Sequence, residues 1–177
     1  MSLYLIPNGP SPTTAAQAKL QTGTAIMTHL QVHMGDASTA IPKIVEWGVS
    51  FDGDPTEVAA AGNVICELLT TGTVACTGMT AHVAAGINLI KGNDPAPTDN
   101  NPFALGVGET AFSDGTVTEG SITVTSSKDI QLVSPAGLFV KQFPLGREPD
   151  FLAAEFLRVR IHSPIDVGAY AYVIIEV

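Results

Sequence analysis

Apolar residues recur along this chain with a period of two, in short runs bounded by Gly, Pro, Asp and Ser. "TAIMTHLQVHM" puts Ile26, Leu30, Val32 and Met34 on one side and His29, Gln31 and His33 on the other, which predicts a strand with one wet face. "KIVEWGVSF" follows the same rule with Val45, Trp47, Val49 and Phe51 turned inward, and Trp47 is the best single core anchor. "NVICELLTT" adds Val64, Cys66 and Leu68, then a Thr-Gly-Thr reversal and a short strand around Val74. Further strands are expected in "GTVTEGSITVTS", "DIQLV", "LFVKQF", "FLRVRIHS" and "GAYAYVIIEV". The last is apolar on both faces, with Ala169, Ala171, Val173 and Ile175 against Tyr170, Tyr172 and Ile174. A strand of that kind is buried on both sides, by the core on one and by a neighbouring subunit on the other.

About eight or nine short strands and no long amphipathic helix predict an all-β fold, an antiparallel β-sandwich. The expected topology is jelly-roll-like, with a generic Greek-key sandwich as the alternative. Two stretches fall outside the pattern. Residues 1–23 mix Pro, Gly, Asn, Ser and Thr around the apolar patch Leu3, Tyr4, Leu5 and Ile6, and are read as an extended N-terminal arm lying on a neighbour. Residues 24–177 then form the sandwich domain. Within it, about residues 91–116, "GNDPAPTDNNPFALGVGETAFSDG" has no dependable period and is expected as a long surface loop that carries contacts.

Composition narrows the function. The 177 residues suit one domain, and 17 Gly with 12 Pro suit frequent turns. Eight basic residues, scattered singly, against 17 acidic ones give a net charge of −9 and no footprint for a phosphate backbone, so no nucleic-acid partner is expected. "MSLYLIPNGPSPTT" has no basic leader, and its apolar run is too short for a signal peptide or a membrane span. The expectation is a chain folded in the cytosol with no membrane partner.

Catalytic patterns are missing: there is no Gly-x-Ser-x-Gly elbow, phosphate-binding loop, dinucleotide fingerprint or His-Glu-x-x-His helix. His29 and His33 share a strand face but lie about 13 Å apart at the usual rise, too far for one metal. Asp52, Asp54 and Glu57 in "SFDGDPTE" superficially resemble calcium ligands, yet the later ligands of a calcium loop are absent and a polar turn is the better reading. Cys66 sits in an apolar strand as a small buried thiol; its pairing with Cys76 across the intervening turn is left open, and no His at ligand spacing supports zinc. No cofactor and no catalytic residue is expected. In "FVKQFPLGREPDFLAAEFLRVRIHS", Pro144 and Pro149 bracket a rigid turn that presents Leu145, Arg147 and Glu148, and Arg158 and Arg160 follow on the strand face opposite Leu157, Val159 and Ile161. These residues read as a contact surface rather than as a site of chemistry.

The pattern from about Thr24 to Val177, with "EWGVSFDG", "VICELLTTGT", "FVKQFPLGREP" and "FLRVRIHSP", resembles the small β-sandwich structural proteins of tailed bacteriophages, most of all head decoration or cement proteins. The resemblance implies a virion protein on the capsid surface, made in the host cytoplasm. It would assemble as a homotrimer and stabilise the shell by bridging subunits of the major capsid protein. A tail-associated or carbohydrate-binding β-sandwich module is the alternative, and a small hydrolytic or metal enzyme a distant third.

Overall fold

The period-two segments form twelve strands among the residues described by the structure, a computed structural model. The described residues are 1–10, 14, 16–17, 19–35, 41–54, 56, 62–92, 97–98, 101–113, 115–120 and 122–177. The strands are β1 (Leu3–Pro7), β2 (Leu20–Gln21), β3 (Met27–Val32), β4 (Lys43–Asp52), β5 (Val64–Thr71), β6 (Thr80–Ala81), β7 (Asn88–Lys91), β8 (Ala111–Phe112), β9 (Val124–Val133), β10 (Leu138–Gln142), β11 (Phe156–His162) and β12 (Gly168–Glu176). One sheet runs β10-β4-β12-β1-β7, with β2 also pairing β12; the other runs β6-β8-β3-β11-β5-β9. All these strand pairings are antiparallel.

The pairs nest: β1 with β12, β3 with β11, β4 with β10, β5 with β9. Successive pairs alternate between the two sheets, which is the jelly roll that the strand count suggested. The inward rows of both sheets meet in one core, with Trp47, Leu30, Val159, Val173 and Ile175 at most 1% exposed. At the β4 start a bulge opposite β12 alters the expected parity: Ile44 enters the core, and Val45 becomes the extra, half-buried residue.

The expected N-terminal arm is corrected at residues 3–7. β1 is the first strand of the roll, held between β12 and β7, and Tyr4 and Ile6 are 2% and 0% exposed. A short apolar run beside Pro7 is ambiguous in sequence because pairing within the chain and pairing with a neighbour use the same alternation. Lys19 also reaches Asp52, so the expected boundary at residue 23 does not separate two structural units.

The stretch between β5 and β9 is the second correction. It carries β6, β7 and β8 and widens both sheets at one side, adding β7 beside β1 and β8 with β6 beside β3. Val74 lies in no strand, and part of the expected surface loop is buried: Phe103 is fully covered and meets Tyr4 edge-on at 5.3 Å between ring centroids. The same insertion covers the outer side of β3, so His29 and Gln31 are buried rather than wet. A small second core of Cys76, Met79, Ala111 and Val117 with Met27 seals it there.

Candidate interaction surface

One sheet face remains uncovered by the described residues. On the outer side of β10-β4-β12-β1, register places Val140 opposite Gly48, Gly48 opposite Tyr172, and Ile174 opposite Leu5. Leu3, Leu5, Tyr170, Tyr172 and Ile174 are half-buried there, and Leu138 and Val140 are 72% and 47% exposed at the β10 edge. The expectation for β12 thus holds on its inner face, where Ala169, Ala171, Val173 and Ile175 are at most 1% exposed, and its outer face is apolar and open. Tyr172 lies across Gly48, where a Cβ would come within 2.7 Å of its ring, and its hydroxyl donates to Glu46 Oε1 at 2.6 Å. Burial first, and that bond to a carboxylate second, raise the Tyr172 pKa, so the phenol stays a neutral donor.

The turn after β10 supplies the rest of the expected contact residues. Arg147 N–H donates to the Pro144 carbonyl at 2.9 Å, and Gly146 takes φ +78°, the conformation a type II turn needs at that place. Leu145 stands at the tip, 97% exposed, Arg147 is exposed, and Glu148 is half-buried. Of the residues expected at an interface, Leu3, Leu5, Leu145, Arg147 and Glu148 therefore have surface to offer. Tyr4 and Ile6 do not.

Arg158 is a further correction. Its strand parity is as expected, but the insertion packs over that face and the side chain is fully buried. Its guanidinium donates to the Val74 carbonyl, to Cys76 Sγ at 2.7 Å and to Glu119 Oε2 at 3.3 Å, and the Arg158 pKa is lowered chiefly by burial. Arg160 lies 3.5 Å from Glu67 with 13% of its side chain exposed, so it too is mostly engaged within the chain. The two arginines fasten the insertion and the outer sheet face.

At the open side the two edge strands reverse the usual pattern. Asp129 on β9 points inward, accepting from Trp47 Nε1 at 3.1 Å, from Lys141 Nζ at 2.8 Å and from Gln131 Nε2 at 2.9 Å. Ile130, Leu132, Leu138 and Val140 point outward instead. The interface signal missed in the sequence was this inversion: a Lys at the inward position of "LFVKQ" means that the apolar partners on either side face out.

Elsewhere, Asp52 pairs with Lys19, and Asp54 Oδ1 accepts from Thr56 N–H at 2.8 Å, as a polar turn requires; Glu57 lies outside the described residues. Among the described residues no group of three potential metal ligands is gathered. Cys66 and Cys76 are free and buried in separate clusters, and burial pushes the Cys66 thiol up to about 12. A cleft of about 420 Å³ holds His33 with its Nδ1 on the Glu109 carboxylate and its ring stacked on Phe156 at 4.4 Å. Thr110 Oγ1 holds the backbone of that histidine, accepting from its N–H and donating to its carbonyl, both at 3.0 Å. Compared with protein-family models, with curated proteins and with solved structures, the chain has no match.

Proposed function

We propose that this chain is a structural subunit that docks on other protein subunits, decorating and stabilising a viral capsid by bridging its major capsid proteins. The observation that carries the reading is the open apolar face of β10-β4-β12-β1 with the Leu145 turn beside it, while the opposite sheet's face is largely covered by the chain's own insertion. The ion pairs Arg158–Glu119 and Lys141–Asp129 are spent on internal fastening. A carbohydrate-binding reading is favoured by one feature, the cleft where Tyr170 lies with Gln17, Lys19, Ser50 and Asp52 around about 290 Å³.

The test is the copy number of this protein relative to the major capsid subunit in purified virions of its source, followed by binding to undecorated shells. Comparable copies, with binding lost in Leu5→Lys while thermal unfolding is unchanged, are the expected result. Absence from the virion would remove the reading, and saturable shifts of the Tyr170 ring resonances by an oligosaccharide would replace it with the second.

A further inference from the structure

We propose that β10 is a self-pairing edge, through which two copies of this chain join antiparallel about Val140 into one continuous sheet. Phe51 N–H donates to the Gly137 carbonyl at 3.0 Å and Phe143 N–H to the Val45 carbonyl at 2.9 Å. In an antiparallel ladder bonded and non-bonded pairs alternate, so residues 137, 139, 141 and 143 bond to β4. Leu138, Val140 and Gln142 therefore direct their N–H and C=O groups away from β4, toward a side where β10 ends the sheet. Each is also exposed on the outer face.

The register is self-complementary. With Val140 opposite Val140 of a second copy, Leu138 falls opposite Gln142 and Gln142 opposite Leu138, so every residue with free backbone groups meets another such residue. All these backbone donors and acceptors are then satisfied, and the apolar outer faces of the two copies become continuous.

The other edges point to the same occupant by contrast. β6 has two residues; β7 carries a bulge at Ile90 against β1; β9 carries two, at Thr125 and Lys128, against β5. Short length and bulges are how folds deter edge pairing. Of the three longer edges, β7, β9 and β10, only β10 pairs with its neighbour without a shift, and its inward Lys141, which would otherwise repel a partner, is neutralised by Asp129 at 2.8 Å. A two-fold contact closes on itself, so it makes dimers and not the trimer that the resemblance implies.

The experiment is sedimentation equilibrium on the purified full chain over a wide concentration range, alone and without capsid, so that its failure is distinct from failure of the decoration role. A dimer is expected. Val140→Pro deletes an N–H that bonds nothing among the described residues and is expected to leave a folded monomer. The double substitution Leu138→Lys with Gln142→Lys keeps every backbone group and sets like charges opposite each other, and dissociation is expected. Leu138→Lys with Gln142→Glu sets opposite charges in the same register, and the dimer is expected to return. A wild-type monomer at all concentrations, a trimer, or a dimer that survives the Lys/Lys pair would overturn the proposal.

Discussion

Arg147 and Arg158 are alike in sequence and opposite in role. Arg158 fills a buried socket made by Val74, Cys76 and Glu119, with a fully covered side chain. Arg158→Met would take the guanidinium from the partly covered Glu119 carboxylate, which keeps its bonds from Thr28, and from the Val74 carbonyl and Cys76 Sγ, at a cost of about 1–3 kcal/mol in urea unfolding. Arg147, on the exposed turn, should leave the unfolding midpoint unchanged when replaced by Ala and show its effect only in binding. Equal destabilisation by the two would contradict the burial difference on which the surface assignment rests. Sequence parity placed Arg158 on the correct side of its strand but could not show that the segment between β5 and β9 would cover that side, because the covering residues Cys76 and Glu119 lie far from it along the chain.

At the scale of elements, the eight strands of the roll were legible where alternation was long, as in β4, β11 and β12. β1 was misread because five residues carry too little pattern to distinguish the first strand of the roll from an arm. The insertion was not legible: its core residue Phe103 stands among turn formers, and its anchor His82 has no partner nearby in sequence. His82 Nε2 donates to the Pro7 carbonyl at 2.8 Å, its backbone N–H donates to Thr110 at 3.0 Å, and a Cβ on Gly86 would come within 2.9 Å of Nδ1. Burial lowers the pKa of this histidine to about 4. Its contribution to stability is full above pH 6.5, where neither state binds the proton. As pH falls, the unfolded chain takes up a proton that the fold refuses, and stability declines by on the order of 3 kcal/mol until about pH 4. Unfolding measured across that window should show the decline in the wild type and a shallower one in His82→Asn, with amide exchange rising first in β6 and β8. An identical slope in both proteins would remove His82 as the acid-sensitive anchor of the insertion.

For the whole molecule, charge and apolar surface act against each other. A chain of net charge −9 repels its own copies at neutral pH, while the β10 edge brings apolar side chains and a neutralised Lys141–Asp129 pair to the contact. The repulsion is long-ranged and screened, with a Debye length falling from about 30 Å at 0.01 M salt to about 3 Å at 1 M. Backbone bonds and apolar burial at an edge are short-ranged and little affected by screening. Self-association through β10 should therefore tighten as salt rises, in proportion to the repulsion removed. A partner recognised through the acidic surface would behave in the opposite sense, because salt would weaken the attraction that brings it in. Sedimentation of the pure chain at low and high salt, beside shell binding at the same two ionic strengths, separates the two contacts. Stronger dimers with unchanged or stronger shell binding would make the apolar sheet face the common surface of both, whereas dimers that dissociate at high salt would mean that the chain's copies meet through charged residues and not through β10.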